Sequence, residues 1–419
     1  MADREVWITG IGIVCAHGSD VETVAEAQRE GRSGAVALAD SFDTTGFDVL
    51  AACRVPDADP SIADLKADFG LRAARSAIGD AFGGDTIDGD PDRVGVHLAS
   101  GLVSTPVAEA EDELLASMSA DGRYQHAAAA ERLHRPSPWR ARHFTDRVNQ
   151  TLTSDYGFRG PSLVNHGACA SSAVAIGLGA RWIERGTSDV VVVGGYESMI
   201  HPFGVLSFGM LGALSERLDC TPQEVSRPFD ATRDGFVIGE GGAVLVLEEG
   251  SRARARGARC WGRLLGMGTS MDAYRVTAPA PDGRGAVTAM RQALSKAGVS
   301  ATDIDYINAH GTGTPLNDAT ETAAVKQVFG GRGDAPPMSS SKSALGHSVA
   351  AAGAVEAVLC LLAMRDGIVP PTLNLHHPDP ACDLDCVPLE ARAGALQRVV
   401  SNSFGFGGVN ASLVLGARP

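Results

Sequence analysis

The chain passes twice through one order of elements, and that repetition limits what it can fold into. In its first part, short apolar stretches at Val6–Val14, Val94–Leu98, Ser162–Asn165, Asp189–Val193 and Gly242–Glu248 read as strands. Helical periodicity covers Asp20–Gly31, with Asp20 as N-cap, and Ala170–Arg185, ended by Gly186. In the second part, strands at Trp261–Gly266, Ile304–Asn308, Met338–Ser340, Val399–Asn402 and Ala411–Leu415 alternate with helices at Ala286–Ala297, Asp318–Phe329 and Gly353–Met364. Gly194-Gly195 reads as the stop of the Asp189–Val193 strand. The two parts share a pattern and almost no residue identity. Apolar strands joined by helices imply buried sheets with helical layers on their faces. The expected fold is α/β, with halves over 1–255 and 256–419 and a polar, basic excursion near 105–149. If a pseudo-twofold axis relates the halves, loops after corresponding strands converge.

One such loop is Asn165-His166-Gly167-Ala168-Cys169-Ala170-Ser171-Ser172, between a strand and a long helix. Small residues flank Cys169, so a substrate can approach the sulfur. A thiol at a helix N-terminus feels the positive end of the dipole, which favours the thiolate. The corresponding loops downstream carry His310, in Asn308-Ala309-His310-Gly311-Thr312-Gly313-Thr314, and Lys342 and His347, in Lys342-Ser343-Ala344-Leu345-Gly346-His347. One thiol and two histidines in glycine-rich turns point to acyl transfer on a thioester, with Cys169 as nucleophile. Developing oxyanion or enolate charge needs preorganised donors, a role that suits His310 and His347; a neutral imidazole also serves as a base. Lys342 sits among serines and glycines, and its ammonium favours the thiolate and neutral histidines. A buried lysine needs a partner, for which Glu356 is the candidate.

Composition excludes other classes. A net charge of −14 disfavours nucleic-acid binding. No apolar run reaches membrane-spanning length, the longest being near Val355–Met364. Eight cysteines without a regular framework, and no secretory leader before the first strand, indicate a reducing, cytoplasmic setting. Cys382 and Cys386 lack a second Cys/His pair, so no metal site is expected. Gly311-Thr312-Gly313-Thr314 is not a phosphate loop, because no Lys-Ser/Thr follows.

Taken together, these motifs resemble the β-ketoacyl–acyl-carrier-protein synthases of the thiolase superfamily. The resemblance is closest to the elongating I/II type and to type II polyketide relatives. It extends over Asp189–Glu197, Arg227-Pro228-Phe229-Asp230, Asp234–Gly241 and Asn402-Ser403-Phe404-Gly405-Phe406-Gly407-Gly408, and so over essentially the whole chain. It implies a thiolase-like fold with βαβαβαββ halves in α-β-α-β-α layers. It implies that Cys169 takes an acyl chain from a carrier thioester, and that a malonyl carrier then loses CO2 and attacks it. The N–H groups of Cys169 and Phe406 form the oxyanion hole, and Phe406, backed by Phe404, is the gate. Thr312 and Thr314 meet a phosphopantetheine arm, which the carrier brings; no other cofactor is implied. The implied partners are an acidic acyl carrier protein, with Arg140, Arg142, Lys66 and Arg72 as docking cations, and a second copy or a homologous chain-length subunit. Asn165-His166-Gly167 before Ala-Cys, and Ser100-Gly101-Leu102-Val103-Ser104-Thr105 beside the implied acyl pocket, depart from the usual pattern and point to a different chain specificity. A pocket-shaping partner subunit would lack the nucleophile, and an initiating synthase would carry Asn at His347. A non-condensing transacylase would keep Cys169.

Overall fold

In the computed structural model, the described residues are 4–59, 61–62, 64–84, 86–101, 107–133 and 144–419. Ten strands form one sheet: β1 (Val6–Val14), β2 (Val94–Ser100), β3 (Ser162–Asn165), β4 (Val190–Glu197), β5 (Gly241–Glu249), β6 (Gly262–Met271), β7 (Tyr306–Asn308), β8 (Met338–Ser339), β9 (Arg398–Phe404) and β10 (Val409–Gly416). Their order is β8-β7-β9-β10-β6-β1-β5-β4-β2-β3. Read outward from the centre, both halves run first, fifth, fourth, second, third. The pairing senses match as well. β1–β5 and β6–β10 are antiparallel, β4–β5 and β9–β10 are antiparallel, and the remaining two pairs in each half are parallel. The halves meet at a short antiparallel seam, Trp7 opposite Arg263 and Ile8 opposite Gly262. The expected pseudo-twofold architecture is therefore present in the strand order itself.

Six helices fill the layers: α1 (Leu65–Phe82), α2 (Arg147–Tyr156), α3 (Ser171–Glu184), α4 (Arg284–Ala297), α5 (Pro315–Phe329) and α6 (Ala352–Asp366). α1 covers the outer face of the first half, and α4 with α5 covers that of the second. α3 and α6 lie between the halves and pack on strands of both. Strand pleating explains why these strands read as continuous apolar runs. On β4, Val191 and Val193 face the central helices while Val190 and Val192 face α1; on β5, Leu245 and Leu247 face inward and Val244 and Val246 outward. Within 105–149, helices run over Val107–Ala116 and His126–Leu133, away from the sheet. Among the described residues no helix is long and apolar enough to cross a membrane.

Two sequence boundaries are corrected. β4 does not stop at Gly194-Gly195 but continues to Glu197. Gly194 has φ 152°, and a side chain there would strike the Ala243 carbonyl on β5. A Cβ on Gly195 would lie 2.7 Å from that of Ser172. These glycines permit close approach rather than ending the strand. Likewise β6 runs past Gly266 to Met271. Gly266 and Gly268 admit the α4 backbone, since side chains there would land on the Ala293 and Ala289 carbonyls. In the first half, Gly10 and Gly12 on β1 admit the Ala77 and Ala73 carbonyls of α1 in the same way.

At the end of β4, Glu197 is fully buried. A side chain at Gly101 would occupy the place of its Oε2. Burial pushes this carboxyl up to about 7, against the pull of Lys66 and of the Ser198, Gly101 and Ala350 N–H groups.

Gly268→Ala should destabilise the protein by roughly 1–3 kcal/mol or more through overpacking against a backbone carbonyl. Gly79→Ala, on α1 with nothing near the new methyl group, should stabilise by about 0.5–1 kcal/mol. Denaturant melts compare the two. A second test concerns pH. The folded chain holds a proton on Glu197 up to about pH 7, whereas the unfolded chain releases it near about 4.3. Folded stability from this group therefore falls as pH rises across that window. The Tm of Glu197→Gln relative to the parent should climb between about pH 5 and pH 8; an unchanged difference would refute the assignment.

Candidate active site

Cys169 lies in a 3-10 turn, Ala168–Ala170, immediately before α3. The turn is strained: Ala168 has φ 47°. Local side chains hold it, with Gly167 N–H donating to Ser171 Oγ at 2.7 Å and Ser171 Oγ donating to the Ala168 carbonyl at 2.6 Å. The equivalent turn before α6, Val349–Ala351, carries Val349 at φ 43°. Small residues let the two helix starts meet. A Cβ on Gly353 would lie 2.8 Å from that of Ala173, and Ala354 N–H donates to Ser172 Oγ at 3.0 Å.

That crossing brings the distant histidines to the thiol. His347 Nε2 is 2.9 Å from Cys169 Sγ. Its backbone is pinned to the segment before β5, through Val237 O at 2.8 Å and Gly239 N–H at 3.0 Å. The His310 ring stands edge-on to the His347 ring, centroids 5.3 Å apart, and lies 5.9 Å from Phe404. Lys342 Nζ donates to the His310 carbonyl at 2.6 Å and forms a buried ion pair with Glu356 on the first turns of α6. The geometry thus separates the two histidines: His347 meets the sulfur, and His310 stands between His347 and the Phe404 loop.

Cys169, His310, His347, Thr312, Thr314, Phe404 and Phe406 line one cavity of about 420 Å³. Thr312 Oγ1 and Thr314 Oγ1 lie 3.0 Å apart on its wall. Phe406 N–H points at Cys169 Sγ, and Gly405 allows the loop close to the nucleophile, since a Cβ there would be 3.0 Å from Cys169 N. Gly407 adopts φ 81°, a conformation that favours glycine.

The electrostatics correct one expectation. Burial pushes the Cys169 thiol up to about 11, more than Lys342 and the Phe406 N–H group lower it, and Glu356 adds to the rise. The Lys342 charge acts on the sulfur in the expected direction, but it does not outweigh burial, and its partner Glu356 opposes it. Burial, and then Lys342, also drive both histidines well below their ordinary range. The resting site is therefore a neutral thiol beside two neutral imidazoles. His310 Nδ1 and His347 Nδ1 are buried without partners. A bare lone pair is tolerated there more readily than an orphan N–H, which puts each proton on Nε2.

Several functional residues escaped the sequence reading. Glu321 on α5 accepts the backbone N–H groups of His310 and Gly311, both at 2.8 Å, and the Asn402 side chain at 3.2 Å. Asn402 in turn accepts Ser412 Oγ at 2.8 Å. Asp318, one turn earlier, accepts Gly313 N–H at 3.2 Å and Phe229 N–H at 2.8 Å. Their faint signal is the acid pair at i and i+3 after the His310 loop, which also fits a solvated helix face. The docking cations fare differently. Lys66 is buried, and Arg72 is engaged by Asp57 at 2.5 Å, Asp68 and Ser19, so neither offers a free charge to a partner. Arg140 and Arg142 lie outside the described residues.

Family models place this architecture. Residues 3–253 match the β-ketoacyl synthase N-terminal domain, and residues 261–376 its C-terminal domain. The chain is 38% identical over 425 residues to 3-oxoacyl-[acyl-carrier-protein] synthase 2 of Coxiella burnetii, covering 99% of both. It is 38% identical to the actinorhodin polyketide putative β-ketoacyl synthase 1 of Streptomyces coelicolor, covering 98% of this chain and 88% of that one. Among solved structures it superposes with TM-score 0.89, at 30% identity, on a chain of AntDE:AntF, a type II polyketide-synthase acyl-carrier protein in complex with its ketosynthase bound to the hexaketide; 99% of this chain and 100% of that chain are covered. It superposes with TM-score 0.85, at 34% identity, on the ishigamide ketosynthase/chain length factor, covering 100% of both chains. Matched by these family models over most of its length, and by relatives 38% identical over nearly all of it, the chain belongs to the β-ketoacyl synthase family.

Proposed function

We propose that the chain is a condensing acyltransferase that extends an acyl group by two carbons from a malonyl carrier thioester, in fatty-acid or type II polyketide biosynthesis. The observation that carries this reading is Cys169 Sγ at 2.9 Å from His347 Nε2, with the His310 ring beside them in a cavity of about 420 Å³.

In the first step Sγ attacks the acyl thioester carbonyl. The thiol proton passes to the leaving pantetheine sulfur, and the Nε2–H of His347 donates to Sγ as its charge develops, so no charge is left in the buried site. The N–H groups of Cys169 and Phe406 take the tetrahedral oxyanion. In the second step the malonyl thioester carbonyl accepts from Nε2 of both histidines. CO2 departs, and the enolate carbon forms a bond to the acyl carbonyl. Cys169 leaves as thiolate and takes one proton from solvent, the proton that loss of the malonyl carboxylate as CO2 consumes. The only group this scheme takes from outside is the carrier's phosphopantetheine arm, which Thr312 and Thr314 flank.

The carrier stands over the cavity mouth, where Leu211, Val276 and Leu316 of the lining are at least half exposed. A second homologous chain, either a copy or a chain-length subunit, covers the outer edge of β3, which has no strand beyond it among the described residues and exposes Leu163. All eight cysteines are unpaired, which supports a reducing compartment, and we place the protein in the cytoplasm.

Mass spectrometry of the protein with acyl-carrier thioesters tests the reading. Without malonyl carrier, Cys169 should gain the acyl mass; with it, that mass should leave and the carrier product should be two carbons longer. Acylation of Cys169→Ala at the parent rate would overturn the nucleophile, and loading without any extension would leave a transacylase. His310→Ala should load but not condense, whereas His347→Ala should be slowed in both steps.

Glu321→Gln keeps one acceptor for the two backbone N–H groups and loses the other. As a positioning change it should lower condensation about tenfold or more while acyl loading stays within a few-fold. Equal loss in both steps, with a lowered Tm, would reduce Glu321 to a structural role.

A further inference from the structure

The three reacting side chains have a second chemistry. The sulfur of Cys169, Nε2 of His347 and a ring nitrogen of His310 lie within 4.8 Å of one another, all buried. Tetrahedral zinc holds sulfur at about 2.3 Å and nitrogen at about 2.0–2.1 Å, which sets donor atoms about 3.3–3.6 Å apart. The observed separations begin at 2.9 Å and end at 4.8 Å, so they bracket that geometry. Ring rotations that draw the widest-spaced donors about 1.2 Å closer close it. The fourth position faces the cavity, where water or an entering thiolate completes the shell.

We propose that Cys169, His310 and His347 form a three-ligand site for Zn2+, and that an ion bound there blocks acyl loading. Sγ exchanges its proton, released to solvent, for the metal, and nothing is oxidised or reduced. One thiolate and two imidazoles select zinc and its soft neighbours over Mg2+ or Ca2+, which take oxygen donors. Glu356 holds the Lys342 ammonium directly, which offsets its repulsion of an arriving cation. The Nδ1 atoms of both rings lack the outer partner usual in resident metal sites. That marks the ion as an exchangeable inhibitor rather than a structural component. Acylation and metal binding compete for the same sulfur, so each excludes the other.

The coordination stands on geometry alone, while its effect on loading rests on the reading of Cys169 as nucleophile. The test separates them. The reduced full-length protein is titrated with Zn2+ against a chromophoric chelator, and with Co2+ as a spectroscopic probe. One ion per chain is expected, with a thiolate-to-Co2+ charge-transfer band and the d–d bands of a tetrahedral site. Affinity should fall more than about 100-fold in Cys169→Ala and in His310→Ala, two variants whose folding is checked by circular dichroism. It should be unchanged in the Cys220→Ser, Cys260→Ser double variant, which removes the half-exposed thiols. Zn2+ should slow alkylation of Cys169 by iodoacetamide, and Mg2+ should not. Stoichiometric binding that survives Cys169→Ala, or that disappears with Cys220 and Cys260, would overturn the site. So would the absence of binding at about 100 μM Zn2+, since apparent affinities of built zinc sites lie far tighter. If the ion binds as described but does not slow acyl loading, the coordination stands and the nucleophile assignment fails.

Discussion

The contact between the starts of α3 and α6 carries the site. Gly353 seats on Ala173, and Ser172 Oγ accepts the Ala354 N–H in the first turn of α6. Helix N-termini leave N–H groups without partners, and here one helix supplies the acceptor for the other. The crossing holds Cys169 at one end and His347 at the other within hydrogen-bond reach. It also points the start of α6 at Lys342, since Glu356 is the fifth residue of that helix. Any side chain larger than hydrogen at 353 would part the helices and with them the thiol and the imidazole.

Burial decides the chemistry of what meets there. A helix dipole and a lysine were expected to favour the Cys169 thiolate. In the structure the desolvation of a fully enclosed sulfur outweighs both, and the thiol sits near about 11. The same enclosure keeps the histidines neutral. A neutral resting site has an advantage for a two-substrate reaction, because charge appears only when a carbonyl is present to receive it and the N–H groups of Cys169 and Phe406 are already aimed at it. Lys342 helps to hold the histidines neutral and ties the His310 carbonyl to Glu356.

Sequence and structure agree where local chemistry is self-declaring. Cys169, His310, Lys342 and His347 stand in turns whose glycines and serines exclude ordinary core roles, and all four converge. The repeated order of strands and helices was also legible, whereas the order of the strands within the sheet came only from the structure. What was not legible depends on partners remote in the chain. Glu321 reads as an exposed helix acid until α5 is placed beside the His310 loop, and Asn402 reads as a strand polar until Ser412 is opposite it. Gly194-Gly195 reads as a breaker until β5 and Ser172 are seen to press on it. The paired glycines Gly10/Gly12 and Gly266/Gly268 were a signal of the duplication itself. Each pair admits a helix backbone through alanines four apart, Ala73 with Ala77 and Ala289 with Ala293.

The duplication explains how one fold yields an asymmetric site. Corresponding turns follow β3 and β8, and both lead into the strained residue before a central helix, Ala168 at φ 47° and Val349 at φ 43°. In the first half the residue after the strain is the nucleophile. In the second half the turn is longer, and the functional residue, His347, comes two positions before the strain. A pseudo-twofold axis would place identical side chains as mirrored competitors for one substrate. The extra residues between Ser339 and Val349 break that equivalence, so the second half presents an imidazole and a buried cation where the first presents a sulfur. His310, from the loop after β7, has its counterpart after β2 in Ser100-Gly101, where the backbone makes room for buried Glu197 instead. One half thus supplies the sulfur that holds the chain, and the other supplies the groups that handle protons and charge.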